Sequence, residues 1–211
     1  MTTRRTLLIL HAHLPYVPLS QPEALEERWF FEALCETYLP LLACFAANDA
    51  LRAALSLSPP LLGMLGERPR LERCRRLISR RIALAERERA RVTSAFAHLP
   101  DYYAARDRAL LAQLDQYDDD LLGAFAALAR AGRLELFTTA GTHPFLPYLG
   151  SRHWQRVHVE LACDAFAQAF GQAPRGVWLP ECAYEPGLDT VLAACGVAWS
   201  VVDGPAFARA R

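Results

Sequence analysis

The sequence predicts an α/β fold in which β/α units surround a parallel sheet, and three observations carry that reading. Short apolar runs rich in branched residues alternate with long segments of helical periodicity. Gly132, Gly171 and Gly196 each follow one of the helical segments, where a residue tolerant of positive φ ends a helix at little cost. Polar, aromatic and Pro/Gly residues gather after almost every apolar run, and strand ends of this kind are where parallel β/α architectures build their sites.

Taken in order, the first strand is expected at 6–11, followed by the turn residues His11, His13, Pro15 and Tyr16 and then a helix over 25–48. The second strand, 53–58, runs into Ser56, Ser58, Pro59 and Pro60. A helical excursion over about 68–131 is too long for one crossover, and its Arg and Glu residues interleaved with periodic Leu, Ile and Ala predict two or three helices beside the sheet. The third strand, 134–138, leads into Thr138, Thr139, Thr142 and His143, and a helix follows at 153–170. The fourth strand, 176–179, leads into Pro180, Glu181, Cys182 and Tyr184, and the fifth, 197–202, into Asp203, with a helix at 186–195 between them. Five clusters at one end of a sheet make a pocket.

Composition narrows what such a pocket takes. The 211 residues are 53% hydrophobic, enough for one sizeable core. Acidic and basic residues balance at 23 each, so no global field draws the chain to nucleic acid or an acidic membrane, and a neutral substrate fits better. Every basic side chain is Arg, which excludes Schiff-base lysine chemistry. The apolar stretch 7–10 is too short to span a bilayer. The six cysteines form no Cys-x-x-Cys pair and no signal-peptide apolar region follows Arg4-Arg5, so the expected state is reduced and the expected compartment cytoplasmic.

Several residues are candidates for chemistry. Glu181 follows a hydrophobic strand and is hemmed by Trp178, Cys182 and Tyr184, so it reads either as a rigidly held site carboxylate or as an acid favouring the start of the next helix. His11 and His13, two apart on an extended segment, face the same way. They can bind a metal, donate to sugar hydroxyls, or simply pack. No convergent ligand set accompanies them, since His153 and His158 lie five apart on a helix, so no metal is expected. His143, in an apolar loop with hydroxyls, is a substrate ligand, a proton donor or a loop anchor, the first being preferred. Trp29 sits in an aromatic stripe whose spacing favours core. Asp118-Asp119-Asp120 reads as a solvated helix face, because consecutive helical residues diverge.

Six segments together resemble glycoside hydrolase family 57, specifically its 1,4-α-glucan branching enzyme-like members. They are His11-Ala12-His13-Leu14-Pro15-Tyr16, Glu26-Glu27-Arg28-Trp29-Phe30-Phe31-Glu32-Ala33, Leu55-Ser56-Leu57-Ser58-Pro59-Pro60-Leu61-Leu62, Gly132-Arg133-Leu134-Glu135, Thr142-His143-Pro144-Phe145-Leu146-Pro147 and Trp178-Leu179-Pro180-Glu181-Cys182-Ala183-Tyr184. The first and last are specific, and the six span nearly the whole chain in family order.

The resemblance implies an incomplete (β/α)7 barrel of the glycoside hydrolase/deacetylase type, with residues 1–211 its N-terminal portion. It implies Glu181 at the position of the catalytic nucleophile and His13, His143 and Trp29 lining a donor sugar site. The substrate class implied is α-glucan, with no cofactor, and with the general acid/base an aspartate on a later strand, beyond Arg211. His11, Trp178, Tyr184 and Asp203 complete the expected site, Trp178, Tyr184 and Phe145 as walls that exclude water. Two positions depart from the family pattern: Pro144 stands where Gly is usual, which alters the loop, and Pro205 stands where His often follows the aspartate, which reduces Asp203 to a supporting or substrate contact. The expected activity of the complete enzyme is chain transfer forming α-1,6 branches, with this chain inactive alone. Rival readings are α-amylase or 4-α-glucanotransferase, metal-dependent polysaccharide deacetylation, and a non-catalytic glucan-binding remnant.

Overall fold

The computed structural model of the chain describes residues 6–21 and 24–209, which divide into two compact units.

The first unit comprises Met1–Tyr16, Asp49–Met64 and Phe125–Arg211. It holds five strands: β1 (Ile9–Ala12), β2 (Ala53–Leu57), β3 (Leu134–Thr139), β4 (Gly176–Trp178) and β5 (Trp199–Val201). They pair in chain order, each parallel to the next, so all strand ends carrying polar clusters lie on one side. One cavity of about 980 Å³ is lined by Ile9 of β1, Ala54 of β2, Leu134 of β3 and Trp199 of β5. A cavity touching both edge strands requires a curled sheet, and the unit is a half-barrel.

Strand β2 is buried along its whole length, as a central parallel strand covered on both faces must be. Beyond β3, Val159, Val177, Leu179, Leu188 and Leu192 form an apolar cluster between the sheet and two crossover helices, α7 (Arg152–Phe170) and α8 (Leu188–Ala194). Helix α7 begins where Ser151 Oγ accepts from the His153 N–H at 3.2 Å and ends at Gly171, φ 72°. At Gly176 the reason for glycine is close approach: a Cβ there would fall 2.3 Å from the Trp199 ring.

The second unit, Val17–Asn48 with Leu65–Ala124, is helical. It contains α1 (Leu25–Ala33), a π-helical turn (Leu34–Tyr38), α2 (Leu39–Ala47), α4 (Arg68–Glu88) and α5 (Leu99–Gln116). Pro40 has no N–H to donate, and the widened turn precedes it. The span Leu25–Ala47 is long and apolar enough to cross a membrane, but Phe30, Leu34, Leu39 and Phe45 are fully buried, so its apolar side belongs to the core of this unit. Arg70, also fully buried, donates to Glu27 at 3.1 Å, to Glu67 at 2.6 Å and to the Val17 carbonyl, with its guanidinium over the Phe30 ring.

The structure differs from the sequence expectation at several places. Strand β1 starts at Ile9 rather than at residue 6. Helix α3 (Pro59–Gly66) occupies a stretch expected to be a turn: Pro59 and Pro60 stand in its first turn, where no N–H is needed. Helix α9 (Gly204–Arg209) follows β5. Asp118, Asp119 and Asp120 are not a helix face. They form the turn between α5 and α6 (Leu121–Arg130), with Asp118 and Asp119 at positive φ, Asp119 accepting from Arg75 at 2.8 Å and Asp120 accepting from the Gly123 N–H at 2.8 Å. Short acidic side chains tolerate that backbone better than most.

Candidate active site

Three imidazoles and an indole converge beyond the C-terminal ends of β1, β3 and β4. The parallel register sets Ser56 of β2 directly opposite His11 of β1, and Thr139 of β3 opposite Trp178 of β4. His11 Nδ1 lies 3.2 Å from Ser56 Oγ, and His11 Nε2 lies 3.0 Å from His143 Nε2. The His11 ring stacks on Trp178, centroids 4.7 Å apart at 13°, and His13 stacks on His143 at 4.2 Å and 17°. The rings lie in layers, and among the described residues no group of three or more His, Cys, Asp or Glu side chains is arranged to hold a metal ion.

Burial fixes the protonation of this cluster. His11 and His13 are each lowered to about 4, by desolvation first and then by the neighbouring imidazoles, and His143 is lowered by desolvation, partly opposed by the charge of Glu181. Near neutral pH the rings are uncharged. In neutral His11 one nitrogen donates and the other accepts, so Ser56, His11 and His143 form a chain with a single direction. Either the Ser56 hydroxyl donates to Nδ1 and Nε2–H donates onward to His143, or both bonds reverse. His13 Nδ1 and Ser58 Oγ are buried and have no hydrogen-bond partner among the described residues.

Glu181 lies in the 3-10 turn Pro180–Cys182, which β4 enters through the fully buried Leu179. Its backbone is left-handed, φ 55° and ψ 22°, and Cys182 follows at φ 55°. Cys182 N–H donates to the Leu179 carbonyl at 2.7 Å and Ala183 N–H to that of Pro180 at 3.1 Å, closing the turn. The carboxylate is exposed to solvent, not enclosed by its neighbours. The alternative that Glu181 favours the start of the next helix fails, because α8 begins at Leu188 with Asp189 as its first-turn acid. Glu185 is taken up by Arg152 at 2.8 Å and Gln155 at 2.6 Å.

The remaining expected residues divide. Trp178 is half-buried under His11. Tyr184 is 45% exposed and donates to Asp189 at 3.1 Å, which fixes the ring beside the turn. Asp203 is exposed at the start of α9; its charge, after burial, raises the Cys182 thiol. Trp29 belongs to the helical unit and is 44% exposed, so the core placement that spacing favoured does not hold. Glu27, Phe30, Phe31 and Leu34 define the inward face of that segment, and Trp29 points away from it. Thr138 and Thr139 are not open to a ligand: they donate to the carbonyls of Leu57 at 3.0 Å and Trp178 at 2.7 Å, stitching β3 to its neighbours.

Sequence reasoning gave Ser56 no role beyond membership of a cluster. Only the strand register, which pairs Ile9 with Ala54, places it against His11. The left-handed residues His143, Glu181 and Cys182 had no signal in residue type.

Chemically, the cluster offers neutral donors and acceptors, a flat apolar indole and an exposed carboxylate. Such a set suits an uncharged polyhydroxyl ligand. The chain is 28% identical over 185 residues to a 1,4-α-glucan branching enzyme of Thermococcus kodakarensis, covering 84% of this chain and 27% of that protein, whose structure superposes with a TM-score of 0.84. It is 28% identical over 219 residues to a probable 1,4-α-glucan branching enzyme of Mycobacterium tuberculosis, covering 95% of this chain and 41% of that one. The α-amylase AmyC of Thermotoga maritima superposes with a TM-score of 0.92 at 35% identity, over 98% of this chain and 41% of its own. The chain thus spans under half the length of each of these relatives. The half-barrel is five strands of the (β/α)7 barrel that the family resemblance implied. A family model matches residues 7–210, and the chain belongs to glycosyl hydrolase family 57.

Proposed function

We propose that this chain supplies the donor-sugar half of an enzyme that transfers α-1,4-glucan segments onto glucan 6-hydroxyls, with Glu181 as nucleophile. The observation that carries the reading is the left-handed turn at Glu181, which presents a carboxylate beside neutral imidazoles at a strand end. In a retaining mechanism a Glu181 carboxylate oxygen bonds to the anomeric carbon as the glycosidic C–O bond breaks, and a second carboxyl about 5 Å away protonates the departing 4-oxygen. That acid, now a carboxylate, then takes the proton from the incoming 6-hydroxyl, which displaces Glu181. We assign the second carboxyl to an aspartate in the part of the family's catalytic domain that this chain does not span.

His11, His13 and His143 hold the donor sugar. As neutral rings they donate to or accept from hydroxyls without the cost of a desolvated charge. Trp178 supplies an apolar wall for the sugar face, while Tyr184 and Asp203 are expected to contact further glucose units or support the turn. Excluding water matters, because water reaching the glycosyl-enzyme gives hydrolysis in place of transfer.

Transfer is favoured by the two relatives named as branching enzymes; the 35% identity to an α-amylase favours hydrolysis as the second reading. The test is incubation of amylose with the chain joined to the remainder of the domain, followed by linkage analysis. New α-1,6 linkages at constant reducing-end count support transfer, and a rise in reducing ends without branches overturns it in favour of the amylase. The chain by itself is expected to give neither product.

A further inference from the structure

The helical unit carries a second site with different chemistry. A cavity of about 580 Å³ opens between α1 and α4, within the range of small-molecule pockets. Phe31 and Leu77 give it an apolar floor, and guanidinium groups line it from both helices. On α4 the lining residues recur at helical spacing, Arg73, Arg76, Arg80 and Arg81 on one face, so the fold gathers them, not their frequency in the chain.

Their commitments separate them. Arg73 is held by the buried Glu27 at 2.5 Å, and Arg81 by the buried Asp107 at 2.7 Å. Arg28, Arg76 and Arg80 form no ion pair among the described residues and are exposed at the cavity. Against these three stands Glu32, the one lining carboxylate besides Glu27. The walls are rigid: Glu27 of α1 is bound by both Arg70 and Arg73 of α4, with less than 2% of the Glu27 and Arg70 side chains exposed. Three free guanidiniums on a fixed frame, set over an apolar floor, match a compact dianion attached to a small apolar or ring-shaped body.

We infer that this cavity binds a small phosphorylated metabolite, its phosphate gripped by Arg28, Arg76 and Arg80 and its remaining body resting on Phe31 and Leu77. Guanidinium forks pair bidentately with phosphate oxygens, and the two ion-paired helices hold the three arginines within reach of one ligand. The site needs no α-glucan and is independent of the role assigned to Glu181.

The test is isothermal titration calorimetry on the full chain with inorganic pyrophosphate, ADP and a hexose phosphate, at physiological salt. The phosphate chemistry predicts saturable one-to-one binding by at least one probe, and the order among them identifies which body the floor accepts. Arg76→Gln with Arg80→Gln should weaken that binding tenfold or more. Glu32→Gln should tighten it several-fold by removing the opposing charge. Arg87→Gln, on the same helix but away from the cavity, should leave it unchanged, and circular dichroism of each variant should match the parent. Absence of binding by all three probes overturns the inference. So does an Arg87→Gln loss equal to that of the cavity variants, which marks a diffuse charge effect, or a Glu32→Gln variant that binds no more tightly.

Discussion

Acidification should destabilise the half-barrel through its imidazole cluster. His11 and His13 titrate near 4 in the folded chain, against about 6.5 for an unfolded histidine. Between those values the unfolded chain binds more protons, so stability is complete above about pH 6.5 and falls as the pH drops toward 4. At about 1.4 kcal/mol per pH unit, each ring would forfeit about 2.7 kcal/mol at pH 4.5 if fully shielded. Both rings are half-buried, so solvent screens part of this. Halving each contribution leaves a loss of roughly 3 kcal/mol for the pair. The assay is urea unfolding at pH 7 and pH 4.5 of the chain and of a His11→Gln, His13→Gln double variant. At pH 7 the variant is the less stable, having lost the stacking on Trp178 and His143. At pH 4.5 the gap should narrow by roughly 3 kcal/mol, because the variant has no rings to protonate. A gap that stays the same at both pH values would refute the assignment of neutral, desolvated imidazoles.

At Glu181, exchange for Gln should abolish transfer in a completed domain without altering the fold, and Glu181→Gly should be equally inactive yet more stable by about 1 kcal/mol, since glycine removes the left-handed strain; linkage analysis and thermal melts read the two effects separately. Arg70→Met should destabilise the helical unit by about 3 kcal/mol, the lower end for a broken buried pair because Arg73 still holds Glu27; a shift in the urea midpoint measures it. Gly176→Ala should cost roughly 1–3 kcal/mol by driving a methyl into the Trp199 ring, whose near-ultraviolet dichroism should change with it.

What the sequence disclosed follows from the kind of signal each feature leaves. All five strands were legible because buried parallel strands need continuous apolar, branched runs, as Ala53–Leu57 shows with every residue buried. Strand ends were harder: residues 6–8 are as apolar as a strand but lie outside β1. Helix α3 was hidden by Pro59 and Pro60, residues that mark a turn in most contexts and a helix start in this one. The helical unit was only half visible. The excursion stood out by its length, yet nothing local to Leu25–Ala47 says that this span joins α4 and α5; that depends on long-range pairs such as Glu27 with Arg70.

The site shows a sharper version of the same division. Its residue types were readable, and His11, His13, His143 and Trp178 do come together. Its backbone was not. Where the chain turns at positive φ after a helix it uses glycine at Gly132, Gly171 and Gly196, and short acidic residues at Asp118 and Asp119. At His143, Glu181 and Cys182 it holds the same left-handed backbone with residues that pay a steric penalty on the order of 1 kcal/mol each. Three of the five non-glycine residues held left-handed fall within this one cluster, and the side chains kept there come at a cost in stability. Two of them, an imidazole within Coulombic reach of a carboxylate, are the groups a glycosyl transfer site would need. The positions of strain therefore support the reading of Glu181 independently of the aromatic and polar neighbours that first drew attention to it.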